Sequence, residues 1–272
     1  MIEKVYRILN KIIRVCVEDE SVVPDCFERF VSSSEESADV EFVSDREEEK
    51  CCCYGIRYFS GVGEKINNVF ISQKDRKQMI YSCADDYSKL RLQMDHDCEK
   101  DVLLELMAVG FYSYASLHDA ILMHASAVCV NDKAIVFTAA SGTGKTTQAE
   151  LWQKYRNATI INGDKVFLTK ESDKFVAWGS PWKGSSPYAE NMGVETSAII
   201  VLEQAEENSI RKLSGMETLT KLLPHVFFPN WDPRCEKAVF DLLSALLERI
   251  DVYLLRCRPD EDAVALTEKT VF

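Results

Sequence analysis

The sequence predicts an α/β protein in two parts, a small β-rich N-terminal domain over residues 1–95 and a larger α/β domain over residues 96–272. Three observations carry this reading. Short apolar, strand-like pieces alternate with turn and charge clusters through the first part of the chain. From Glu99 the apolar spacing becomes helical, and residues 134–152 then read as a buried strand, a glycine-rich loop and a helix start.

In the first part the strand-like pieces fall at residues 5–17, 40–43, 51–59, 69–72, 78–83 and 90–94, and an antiparallel arrangement is expected. Residues 32–37 and 45–50 have the composition of solvated loops, while Gly61-Val62-Gly63 and Ala84-Asp85-Asp86 read as turns. No chemistry is legible here, and the acidic run reads as surface. The helix expected from Glu99 to about Leu117 has Leu103, Leu106, Met107 and Tyr114 on its apolar face. Residues 121–130 and 135–137 then read as strands joined by an Asn131-Asp132 hairpin turn.

Composition bounds the partners. A net charge of −12 with scattered Lys and Arg argues against a nucleic-acid partner, because phosphate backbones are held by clustered cations. No apolar run approaches the ~20 residues a membrane helix needs, and no signal peptide is visible, so a cytoplasmic protein without a membrane partner is expected. The ten cysteines contain no C-x-x-C pair, which disfavours structural zinc. They read as small apolar residues in a reducing compartment, with an exposed thiol expected in the run Cys51-Cys52-Cys53.

The chemistry concentrates at Ser141-Gly142-Thr143-Gly144-Lys145-Thr146-Thr147. Gly142 and Gly144 let backbone N–H groups converge on phosphate oxygens, Lys145 neutralises them, and the Thr146 hydroxyl can ligate Mg²⁺ at the helix N-terminus. A nucleoside triphosphate is the expected ligand. The pattern is incomplete, since Ala139 stands where the full motif has its first glycine, and the alternative is a glycine-rich turn with no ligand.

Two further residues are candidates. His124 is expected at the start of its strand, beside the loop, as a catalytic imidazole or else a core histidine bonded to backbone. Residues 158–164 read as a second buried strand whose final Asp164 can hold Mg²⁺ or accept a hydroxyl proton, or else lies in a plain surface turn. Both side chains are expected on the same side of the loop, from adjacent parallel strands.

Downstream, residues 166–169 and 174–178 read as a strand pair, and residues 179–186 as a loop that either covers substrate or is merely ordered around Trp182. Strands are expected at 197–202 and 209–213, a helix at 216–223 stopped by Pro224, and an aromatic loop at 225–232. An amphipathic helix follows at 233–250, then a strand at 252–257 that closes the sheet, then a last helix opened by Pro259.

With His124, the Ser-Gly-x-Gly-Lys-Thr loop and a strand ending in Asp164, residues 117–168 resemble the catalytic domain of HPr kinase/phosphorylase and its relatives with a phosphoenolpyruvate-carboxykinase-like P-loop. The resemblance implies an α/β P-loop kinase core, with ATP and Mg²⁺ as cofactors. His124 and Asp164 would be the catalytic pair, residues 141–147 the nucleotide site, and Thr146 and Asp164 the metal ligands. It further implies γ-phosphoryl transfer to a serine-type hydroxyl on a protein, peptide or small molecule, and it leaves homo-oligomerisation open. The chain departs from the family at Gly163-Asp164-Lys165, where two adjacent Asp residues are common, and it lacks the C-terminal glycine-rich signature tied to dephosphorylation. A kinase-only relative is one reading. The alternative is a nucleotide-binding regulatory or assembly protein with weak transfer or none.

Overall fold

The computed structural model describes residues 1–45, 68–74, 77–93, 100–230 and 232–272. The expected strand at 51–59, the Cys51 to Cys53 run, the Gly61 to Gly63 turn and Trp231 lie outside the described residues. The chain is mixed α/β with two sheets, and it divides into one unit of Met1–His118 with Pro229–Pro233 and a second of Asp119–Phe228 with Arg234–Phe272. The expected boundary at 95/96 lies upstream of the helix that follows it, and that helix groups with the first unit.

In the first unit, β1 (Ile2–Ile8) and β2 (Lys11–Val17) form a hairpin, because Leu9 and Asn10 at φ 53° and 59° turn the chain within the single run 5–17. The strands β3 (Val40–Asp45), β4 (Asn68–Lys74), β5 (Lys77–Cys83) and β6 (Lys89–Gln93) complete a sheet ordered β1-β2-β3-β6-β5-β4. The expected antiparallel sheet is corrected here. Its centre is parallel, with β3 parallel to both β2 and β6, and only its flanks are antiparallel hairpins. Tyr6, Ile13, Phe27 and Phe42 are buried, and Tyr6 meets Phe27 edge to face at 5.2 Å between centroids. The helix α1 (Lys100–Ser116) buries Met107, Phe111 and Tyr114. Residues 229–233 return to this unit, where Tyr87 Oη donates to Asp232 Oδ2 at 2.9 Å.

The second unit contains β7 (Ala120–Val130), β8 (Lys133–Thr138), α2 (Lys145–Arg156), β9 (Thr159–Asn162), β10 (Lys165–Glu171) and β11 (Lys174–Trp178). Then come β12 (Gly193–Gln204), β13 (Ser209–Lys212), α3 (Gly215–Leu222), α4 (Pro233–Leu247), β14 (Asp251–Cys257) and α5 (Glu261–Val271). The sheet runs β11-β10-β7-β8-β12-β14-β13, with β9 paired to β7. Asn131 and Asp132, both at positive φ, make the β7–β8 turn. The strands β8, β12 and β14 are parallel neighbours.

Alternation along the strands sends side chains to two cores. Val136, Ile199 and Val201 pack with Val239, Leu243 and Leu246 of α4, while Phe137, Ile200 and Leu202 pack with Trp152 of α2 and Val264 of α5. Burying a side chain of this size stabilises the fold by roughly 1.5–3 kcal/mol, so the two-faced pattern of β8 and β12 fixes them as central strands. Two expectations need correction. The strand at 251–257 does not close the sheet, because β13 pairs outside it as the edge. The last helix is opened by Asp260, whose side chain accepts from the Ala263 N–H at 3.0 Å, and not by Pro259. Among the described residues no helix is long and apolar enough to cross a membrane.

Candidate functional site

The glycine-rich loop leaves the C-terminal end of β8 and enters α2. Gly142 at φ 79° and Gly144 at φ 116° hold left-handed backbone that other residues rarely adopt, and Thr143 N–H donates to Ala140 O at 3.2 Å across the turn. Gly144 caps α2 without a side-chain partner, so the first helical N–H groups are left to whatever approaches the loop. Ser141 and Thr147 are exposed, Thr143 and Thr146 half-buried.

Lys145 is 6% exposed and donates from Nζ to Ala139 O at 3.1 Å. Burial pulls its pKa down, opposed by the Asp164 charge. A buried ammonium held by one neutral carbonyl has two donors to spare, which suits it to exchange that carbonyl for a phosphate.

The strand β7 ties the site together. Ser126 Oγ donates to Lys145 O at 2.8 Å, and Thr138 Oγ1 donates to His124 O at 2.9 Å. Ala125 N–H donates to Asp164 O at 2.9 Å. His124 does not begin its strand as expected. It lies in mid-strand, because β7 extends back to Ala120 and its first half pairs with β10, with His124 opposite Lys165. The strands that carry the pair are antiparallel and not parallel, since the hairpin before the loop reverses the chain.

His124 Nε2 and Asp164 Oδ1 are 3.2 Å apart, both half-buried. The hydrogen bond from His124 is the largest influence that holds Asp164 below the usual carboxylate range, with Lys165 and Lys145 adding to it and burial opposing. Lys165 Nζ lies 3.8 Å from Asp164 Oδ2. The backbone here is fixed by Asn162, fully buried, whose Oδ1 accepts from both Asp164 N–H and Lys165 N–H at 2.9 Å. Its Nδ2 donates to Ser180 O at 2.8 Å.

Residues 179–187 pass over this turn as an ordered strap. Trp182 is buried with its ring 6.2 Å from that of Phe167, and Ser180 Oγ donates to Lys165 O at 2.9 Å. A Cβ at Gly163 would stand 1.9 Å from Ser186 Oγ, so the space of an adjacent acidic side chain is already filled.

Thr146 Oγ1 donates to Gly163 O at 3.3 Å, which brings the hydroxyl of the loop to the residue before Asp164. One hydroxyl and one carboxylate suit Mg²⁺, which takes few protein oxygens and completes its shell with phosphate and water. Among the described residues no group of three or more His, Cys, Asp or Glu could hold a metal by itself.

A cleft of about 620 Å³ opens beside the loop, lined by residues 139–143, the C-terminal end of β12 including Glu203 and Gln204, and Lys221 and His225. It lies at the carboxyl ends of parallel strands, the usual place for a ligand in such sheets. Neither His124 nor Asp164 lines it. His225 is the residue that sequence reading misses. Burial, then His124, then Lys145 push its pKa down, and its neighbour Val226 bridges to Met123 next to His124. Its position just after the Pro224 stop is the one local signal.

No protein-family model matches this sequence, and no curated protein matches it. Among solved structures, the HPr(Ser) kinase/phosphatase from Coxiella burnetii is similar at 11% identity and a TM-score of 0.34, over 55% of this chain and 95% of that one.

Proposed function

We propose that this chain is an ATP-dependent phosphotransferase of the HPr-kinase-like type that moves the γ-phosphoryl group to a hydroxyl, with the site carried by residues 96–272. The observation that supports it most is the meeting of two chemistries on one flank of the loop. Lys145 and Thr146 open the helix at the glycine-rich loop, and Thr146 contacts the Gly163 carbonyl beside the His124–Asp164 pair.

In this reading residues 141–147 bind the triphosphate through backbone N–H groups and Lys145, and Thr146 would hold Mg²⁺, which supplies charge neutralisation on the phosphate oxygens, with metal ligation as the alternative role of Asp164 to that of base. The Asp164–His124 pair takes the proton of the acceptor hydroxyl. Its oxygen forms the new P–O bond as the bond from the γ-phosphorus to the β–γ bridging oxygen breaks, and ADP leaves with that electron pair. The acceptor is a serine-type hydroxyl on a protein, peptide or small molecule, and the setting is the cytoplasm. Incubation with γ-labelled ATP, Mg²⁺ and hydroxyl acceptors tests this by the appearance of labelled acceptor.

The second reading, a nucleotide-binding regulatory or assembly protein, draws on the single Asp of Gly163-Asp164-Lys165 and on a cleft whose lining includes neither His124 nor Asp164. Nucleotide binding without product from any acceptor class would favour it.

A further inference from the structure

Lys165 has no task in the phosphotransfer just described, yet its placement is specific. It stands directly opposite His124 in the β7–β10 register, and its Nζ approaches Asp164 on Oδ2, the oxygen that His124 leaves open. Its backbone is pinned on both sides, since its N–H donates to Asn162 Oδ1 and its carbonyl accepts from Ser180 Oγ. The ammonium therefore projects from a fixed anchor. At 3.8 Å its ion pair with Asp164 is loose and leaves donors over.

His124, Lys165 and Lys145 are the side chains whose charges act to stabilise the ionised Asp164. In a chain of net charge −12, this is a local reversal. Lys145 is accounted for by the nucleotide phosphates, whereas the Lys165 side chain stands partly exposed beside Asp164 and is unused by the nucleotide in that reading.

We propose that Lys165 binds an anionic group on the acceptor, so that the acceptor is a small hydroxy compound with a carboxylate or phosphate within a lysine's reach of the reacting hydroxyl. This rests on the phosphotransfer reading and narrows its substrate class. The chemistry is unchanged. Asp164 and His124 take the hydroxyl proton, the acceptor oxygen bonds to the γ-phosphorus, and ADP departs. Lys165 touches only the acceptor's distal anion and holds the hydroxyl toward Asp164.

The test uses the full chain with Mg²⁺ and a non-hydrolysable ATP analogue, and it measures binding of D-glycerate, glycerol 3-phosphate and glycerol, which differ in their anionic group. At least one anion should bind about tenfold or more tighter than glycerol, the size expected of one charge-assisted contact. The better anion identifies carboxylate or phosphate as the source. Lys165→Met should remove the preference with nucleotide affinity unchanged, and Lys165→Arg should keep part of it. Equal affinity for all three probes, no measurable binding of either anion at millimolar concentration, or an undiminished preference in Lys165→Met overturns the proposal. Weakened nucleotide binding in Lys165→Met also overturns it, by assigning the ammonium to the phosphates of ATP. Failure of the wild-type chain to bind the analogue at all strikes instead at the phosphotransfer reading.

Discussion

Gly184 lies so close to Asp164 that a Cβ on it would stand 2.7 Å from Oδ2 and 2.8 Å from Cγ, at a backbone φ of +57°. The carboxylate is thus bounded by His124 on one oxygen and by the backbone of the strap on the other. The strap decides where the carboxylate points. Gly184→Ala adds about 1–2 kcal/mol of left-handed backbone strain and pushes the carboxylate off its position against His124. The expected result is a folded protein with normal ATP affinity and transfer reduced about tenfold or more. Undiminished transfer in a folded Gly184→Ala protein would show that the strap does not position Asp164.

The same strap leaves no room for a side chain at position 163. With Ser186 Oγ 1.9 Å from the place of a Gly163 Cβ, Gly163→Asp is expected to destabilise the chain by about 2 kcal/mol or more through overpacking. Ser186→Gly should relieve part of this in the double variant. Chemical denaturation of the four proteins gives the coupling directly, and additive effects would mean the clash is absorbed elsewhere.

Lys145 carries the phosphate side of the reading. Its loss should weaken ATP binding by about 2–5 kcal/mol, the cost of removing one partner from a desolvated charge pair. Calorimetric titration of Lys145→Ala with MgATP measures it. Unchanged affinity in the folded variant would return the loop to a glycine-rich turn.

His225 makes a pH prediction with a definite sign. Burial, His124 and Lys145 lower its pKa from 6.5 in the folded chain, so the unfolded chain binds the proton more readily. Its contribution therefore favours folding at high pH. It falls as pH drops through about 6.5 and is fully lost below the depressed folded value. His225→Asn should lose less thermal stability than wild type between pH 7.5 and 5.5. Parallel losses in the two proteins would remove His225 from the field of His124 and Lys145.

How much of this was legible in the chain follows from the range of each signal. The loop is a local motif whose glycines, lysine and threonine act within one turn, and the long apolar runs of β7, β8 and β12 announce buried strands. Strand order is not local, so neither the parallel centre of the first sheet nor the inner place of β14 could be read from alternation. His225 reaches the site through the bridge of Val226 to Met123, which brings together segments distant in sequence. The contact of Gly184 with Asp164 depends on how Asn162 and Ser180 anchor the strap, and no spacing rule predicts that.

Asp164 has two candidate roles, and they fail differently. Its carboxylate is bonded to His124 through Oδ1, and that bond, helped by Lys165 and Lys145, keeps it ionised well into the acid range. An ionised carboxylate can accept a proton or ligate Mg²⁺, and Gly163 supplies no second acid to share the work. As part of the base, it is needed only when the hydroxyl reacts, so Asp164→Asn should change ATP affinity by less than about tenfold while turnover falls about 10²-fold or more. As a metal ligand, it is needed as soon as MgATP binds, so affinity and turnover should collapse together. The transfer rate of wild type should also fall in acid as the carboxylate takes up its proton, with a midpoint below the usual carboxylate range. Affinity for ATP measured with and without Mg²⁺ separates the two roles. Normal turnover in Asp164→Asn would remove the carboxylate from the chemistry and leave His124 as its base.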